Sequence, residues 1–196
     1  MPRFARNLTD NSYYHIVTRG IDRRRLFRYK QDYALFIEIT ATYLKQYKVR
    51  IVNYCLMPNH IHLLIKLELA SDLPKFMQIV LQVYAANFRK RYKSVGFVFQ
   101  NRYKSRLIDN EAYLLECARY IERNPVRATM VQEASEFPWS SFSYYAKGSK
   151  DKIITLPNPL FIDMAPTNIQ RQEAYSKFIA QERAYDQIVD KEFKIA

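Results

Sequence analysis

The stretch KVRIVNYCLMPNHIHLLIKL, residues 48–67, constrains the fold more than any other part of the chain. Two runs rich in Val, Ile and Leu flank Pro58-Asn59, and a Pro-Asn pair between such runs is a turn signal. The pattern predicts two antiparallel strands joined by a tight hairpin, with His60 opening the second strand. Side chains on a strand alternate between faces, so His60 and His62 point to one side, with Leu64 and Lys66 further along. Ile61, Leu63 and Ile65 point to the other side, into a core. From this fragment alone two readings stay open: a pair of ligands, or two polar residues on the wet face of a sheet.

The flanking segments extend the hairpin into a fold. SYYHIVTRG (Ser12–Gly20) is β-rich and ends at glycine, which predicts a first strand, followed by the basic loop IDRRRLFRYK. Asp32 is placed to cap a helix over about Tyr33–Tyr47, with Leu35, Phe36, Ile39 and Tyr43 on one face. After the hairpin, a helix over Leu73–Tyr92 turns Phe76, Met77, Val80, Tyr84 and Phe88 inward. Gly96 breaks that pattern, and FVFQNRYKSRLI follows as extended chain with a bend near Gln100-Asn101. The order is β-α-β-β-α-β: an α+β, ferredoxin-like split β-α-β antiparallel sheet with helices on one face. Asp109 then caps a further helix, NEAYLLECARYIERN, with Leu114, Cys117, Ala118 and Ile121 as its apolar stripe. Pro125 is expected to end or kink it and to disfavour helical geometry at Asn124. Two units follow from this reading, a main domain over 1–130 and an extension over 131–196 packed on or beside it. The extension holds Trp139, a loop over 147–159 and a polar helix over about Asn168–Lys191. Tyr175, Phe178, Ile179 and Tyr185 are its docking residues.

Charge is unevenly placed on this frame. The chain carries a formal net of +12, of which residues 1–30 contribute +6 and residues 89–106 contribute +7, the latter with no acid at all. The rest is near neutral. Two uncompensated basic blocks on a neutral body point to a polyanion, and nucleic acid fits better than an anionic membrane because neither block is a clean amphipathic helix. No apolar run is long enough to span a bilayer, the N-terminus lacks the apolar core of a secretory signal, and Cys55 and Cys117 form no C-x-x-C. These features together predict reduced thiols in a cytoplasmic protein without a membrane segment. Arg102, Lys104 and Arg106 alternate, so they share one face of the extended segment. Arg19, Arg23, Arg24, Arg25 and Arg28 crowd the loop after the first strand. Both groups are candidates for holding phosphates while aromatic side chains stack unpaired bases.

Two histidines alone do not make a metal site. No Cys cluster and no H-E-x-x-H is present, which argues against zinc-finger and zinc-protease chemistry. ARYIERNP places Tyr120 and Asn124 four residues apart on one helical face, with Glu116 one turn earlier. A mixed imidazole and amide-oxygen set with open positions suits Mg²⁺ or Mn²⁺ acting on phosphate. Tyr120 by itself is equally readable as a half-buried aromatic on an amphipathic helix. His15, the third histidine, lies on the first strand and could neighbour the site.

These signals resemble a known family. MPNHIHLLI is similar to the HUH motif (His, hydrophobic, His) of single-tyrosine transposases, and RYIERNPVRATMV to the helix that carries their catalytic tyrosine. YYHIVTRGIDRRRLF, FQNRYKSRLI and FPWSSFSYY lie where the REP-associated tyrosine transposases and their relatives have matching segments. The resemblance covers most of residues 3–145. It departs in RATMV, where many relatives have Gly after Ala. It implies that His60, His62 and Asn124 hold a divalent metal and that Tyr120 is the nucleophile. The implied reaction is metal-dependent cleavage and rejoining of hairpin-containing single-stranded DNA through a 5′-phosphotyrosine, without a nucleotide cofactor. No P-loop occurs in the sequence, in keeping with this. The sequence leaves monomer and homodimer open. The rival is a non-catalytic module, either RRM-like, since VGFVFQNRY echoes a strand with stacking aromatics, or a domesticated transposase that only binds.

Overall fold

The structure, a computed structural model, describes residues 7–182. β1 (Ser12–Arg19), α1 (Lys30–Leu44), β2 (Val49–Met57), β3 (His60–Leu67), α2 (Asp72–Tyr92) and β4 (Lys104–Ile108) follow in the expected order. The sheet runs β2-β3-β1-β4 and every pairing is antiparallel. This is the ferredoxin-like arrangement, with β1 and β3 in the middle. Met57 pairs with His60, so Pro58 and Asn59 form the hairpin turn.

One face of the sheet is an apolar core. Phe36 and Ile39 of α1 and Phe76, Met77, Val80 and Tyr84 of α2 close on Tyr14, Ile16, Tyr54, Leu56, Ile61, Leu63 and Ile65. α1 begins at Lys30, earlier than the predicted Tyr33. Asp32 is not the cap but lies in the first turn, where its carboxylate accepts from the backbone N–H of Arg28 (2.9 Å) and Tyr29 (3.0 Å). Arg91 and Tyr92 at the end of α2 donate to the same carboxylate, which ties the two helices together.

The other face is covered by α3 (Glu111–Arg127) and by the extension. Asn110, not Asp109, caps α3, its side-chain oxygen accepting from Tyr113 N–H at 2.9 Å. Pro125 does not end the helix, which continues to Arg127. The reason is local. Proline cannot donate to the carbonyl four residues back, and the Asn124 side chain supplies donors there instead, to Tyr120 O (2.8 Å) and Ile121 O (3.4 Å).

The extension follows as α4 (Phe142–Lys147), α5 (Pro159–Ile162) and α6 (Asn168–Ala180). Leu56 N–H bonds Trp139 O, Ser141 N–H bonds Tyr54 O, and Ile154 bridges Ile51, so the segment shields the exposed edge of β2. A bulge between Ile51 and Asn53 puts Asn53 on the α3 side. There Asn53 donates to Glu122 (2.9 Å) and to the Tyr175 hydroxyl (3.1 Å), and Ser141 also bonds Glu122. Tyr175 and Ile179 of α6 are buried as expected, but the helix ends at Ala180, where Gln181 turns to extended backbone, rather than running to Lys191; Tyr185 lies outside the described residues. Among the described residues no helix is long and apolar enough to cross a membrane.

Candidate functional site

β3 presents His60 and His62 towards α3, and Ile61, Leu63 and Ile65 towards the apolar core, as the alternation requires. That face is not wet. His62 is fully buried and His60 half-buried, because α3 lies across them. The two rings meet edge to face with centroids 4.9 Å apart.

Each ring is oriented by a neighbour. His60 Nδ1 lies 2.7 Å from Asn59 Oδ1, an acceptor, so this nitrogen carries the proton and Nε2 carries the lone pair. His62 Nδ1 shares an N–H···N bond of 2.9 Å with His15 Nε2. His15 reaches it diagonally across the sheet, since Val17 is the residue directly opposite His62. The Nε2 atoms of both His60 and His62 are buried and make no hydrogen bond among the described residues. Two buried imidazole nitrogens without a hydrogen bond are candidate metal donors.

The electrostatics agree. Burial, reinforced by the Arg19 cation, lowers the His60 pKa to about 4, against a smaller opposing effect of the Asn124 side chain. Burial, then His60, His15 and Arg127, puts His62 well below the ordinary histidine range. His15 is lowered to about 3 by burial and by Arg106. All three rings are therefore neutral at neutral pH, the form that donates to a metal. Among the described residues no three His, Cys, Asp or Glu side chains are grouped to hold a metal ion. A third protein donor would be the Asn124 amide oxygen, whose nitrogen is already engaged with the helix backbone. Glu116 instead pairs with the buried Arg119 at 2.9 Å.

Tyr120 meets the histidines directly. Its ring contacts His62 (centroids 5.6 Å) and His15 (5.8 Å), both edge to face. It is fully buried, and the Arg127 guanidinium lies 5.1 Å from its ring centre. Arg127 is seven residues on, two helical turns, so it shares the face of Tyr120 and was findable from the spacing.

A pocket of about 180 Å³ opens beside His60, lined among others by Arg19, Arg23, Asn59, Gln100, Arg102 and Lys104. The basic loop is held to this spot by the hairpin turn. Gly20 N–H bonds Asn59 O, and Leu26 and Phe27 N–H both bond Pro58 O. Gly20 is required for this, because a Cβ there would stand 2.2 Å from Arg24 O. Of the candidate DNA-binding residues, Arg19, Arg23, Arg102 and Lys104 line the pocket. Arg106, across from His15 on β4, faces the α3 side. Arg28 turns away and stacks on Tyr92 at 4.2 Å and Phe88 at 5.4 Å, while Arg24 and Arg25 do not line the pocket. Asn59 and Gln100, which bonds the Arg19 side chain, are site residues that the sequence reading missed.

Comparisons with known proteins show the family and the fold. A Haemophilus influenzae protein described as a REP-associated tyrosine transposase is 26% identical over 157 residues, spanning 72% of this chain and 86% of that protein. A solved structure of a REP-associated tyrosine transposase bound to a REP hairpin is alike in fold, with TM-score 0.65 and 17% identity over 81% of this chain and 93% of that one. The family described as "Transposase IS200 like" matches residues 8–124, more than half of the chain. The chain belongs to the IS200-like transposase family.

Proposed function

We propose that the protein cleaves and rejoins single-stranded, hairpin-containing DNA, with Tyr120 as nucleophile. The observation that carries this reading is the contact of Tyr120 with His62, beside two buried imidazole nitrogens without a hydrogen bond and a pocket lined by four cations. The DNA-hairpin substrate is supported by the REP-bound relative of like fold.

His60 and His62, with the Asn124 amide oxygen, would hold a divalent cation such as Mg²⁺ or Mn²⁺. When bound, it supplies Lewis-acid polarisation of the scissile phosphate and helps orient it. The chain's own residues do the rest. Arg19, Arg23, Arg102 and Lys104 hold the backbone phosphates on either side. The Tyr120 oxygen attacks phosphorus, a Tyr–O–P bond forms and the P–O3′ bond breaks. The phenol proton leaves to solvent, and a proton from solvent completes the 3′-hydroxyl. Rejoining is the reverse, with a 3′-hydroxyl displacing tyrosine, so the phosphodiester energy is kept in the covalent intermediate. Tyr120 has no exposed surface, so a local opening around its ring precedes attack. The RRM-like reading loses support because such a domain stacks bases on an open sheet, and here both sheet faces are covered.

The test uses labelled hairpin DNA with a single-stranded extension, incubated with Mn²⁺ or Mg²⁺ and run on a denaturing gel. A protein–DNA adduct is expected that disappears with chelator and in Tyr120→Phe. An adduct that persists in Tyr120→Phe would overturn the nucleophile assignment, and salt-sensitive binding without any adduct would favour a pure binding module.

A further inference from the structure

The segment between α2 and β4 carries an apolar tip in the most cationic part of the chain. Val95 is 90% exposed and Phe97 79%, the highest values among the large hydrophobic side chains described. Gly96 between them has φ +82°, a conformation that disfavours any other residue, and nothing lies within 4 Å of where its Cβ would stand. Lys93, at φ +48°, ends α2 in the left-handed conformation. The chain thus turns twice to hold the tip away from the body, while the next residue, Val98, is buried in the core. Two neighbouring apolar side chains held in water beside cations are a candidate contact for a ligand.

The surroundings say which. A groove of about 810 Å³ runs between α2 and this segment, lined by Leu81, Gln82, Arg89, Phe97, Phe99 and Arg102 among others, with no carboxylate among the described lining residues. Gln100, Asn101 and Arg102 line this groove and also the pocket beside His60. The two are therefore neighbours along one surface leading from the candidate site to Phe97. Amides that donate and accept, cations without counter-charges, and one aromatic face in the open are the components of a single-strand track. An apolar protein partner would leave Arg89, Arg102 and the amides unmatched, and a lipid surface would make no use of the amides.

We propose that Phe97 is a stacking platform for an unpaired DNA base, with Arg89 and Arg102 holding the adjoining backbone and the groove carrying the single strand that flanks the cleaved hairpin. The identity of that strand rests on the strand-cleavage reading above. The test is fluorescence anisotropy in chelator, so that no strand is cut. It compares a hairpin bearing a single-stranded extension with the same hairpin blunt-ended, for wild type, Phe97→Ala and Phe97→Trp. Phe97→Ala is expected to weaken the extended hairpin by roughly 5- to 100-fold, to leave the blunt one within about twofold, and Phe97→Trp to restore binding. Equal loss on both DNAs, or no loss on either, overturns the inference, as does a Phe97-dependent attachment to phosphatidylserine vesicles with DNA binding unchanged. The two readings fail separately. A wild type that forms the adduct while Phe97→Ala binds normally sinks only the platform, whereas Phe97-dependent binding with no adduct sinks only the cleavage.

Discussion

Against α1 and α2 the sheet presents Tyr14, Ile16, Tyr54, Leu56, Ile61, Leu63 and Ile65. Against α3 and the extension it presents His15, Asn53 and His62 among apolar neighbours, and meets Tyr120, Glu122 and Asn124. One face is closed by apolar packing, the other by a polar arrangement that is almost but not wholly satisfied. The first is what a sheet of this kind needs to be stable. The second gives up part of that stability to keep the Nε2 atoms of His60 and His62 buried without a hydrogen bond among the described residues, a cost typical of functional sites. Substitutions on the two faces should therefore separate stability from activity.

The sharpest separation is expected from His60→Ala combined with His62→Ala. Cleavage should fall about a thousandfold or more, the several kcal/mol that Lewis-acid assistance supplies, with the unfolding midpoint and DNA affinity little changed. If the fold collapses instead, the histidines are structural and the contrast between the faces is lost. The counterpart is Phe76→Ala on the apolar face. It should cost about 3–5 kcal/mol of stability by urea denaturation, while the protein that remains folded cleaves at its normal rate.

Smaller effects follow from pH. Burial raises Glu122 from 4.5 to about 7, so its contribution to stability is present below about pH 4.5 and is lost as pH rises through 7. Glu122→Gln should therefore be more stable than wild type at pH 8 by about 1–3 kcal/mol and nearly equal to it at pH 4. The histidines act with the opposite sign. Their lowered pKa values make stability full above about pH 6.5 and lost on acidification towards 4, where His60 takes up its proton. A stability profile that rose on acidification from pH 6.5 to 4 in Glu122→Gln would contradict the buried, neutral imidazoles. The smallest effect is at the start of α3. Asn110→Ala removes its cap and should cost about 1 kcal/mol, readable as a shift in unfolding midpoint with the adduct yield nearly kept.

The same contrast explains what the sequence could disclose. The hairpin, the β-α-β-β-α-β order and the common facing of His60 and His62 are local matters of period and turn chemistry, the first and last legible in residues 48–67 and the order in the segments on either side. The burial of that face is not local. It comes from α3 and from residues 134–180, far along the chain, so the histidines read equally well as wet. Pro125 shows the limit in one residue. Backbone rules predict that the helix ends or kinks there, yet it continues to Arg127, with the Asn124 side chain turned onto the Tyr120 and Ile121 carbonyls. The loop arginines show it again. Composition places five of them near the first strand, but packing decides that Arg19 and Arg23 face the pocket while Arg28 covers Tyr92. His15 was visible as a neighbour, but its bond to His62 depends on a strand register that the sequence does not print.

The most direct measurement is to map the covalent DNA attachment. After reaction with hairpin DNA, nuclease and trypsin digestion, mass spectrometry should find the residual nucleotide on the peptide that contains Tyr120. Attachment at another tyrosine, such as Tyr103 or Tyr113 near the same basic strand, would contradict the account.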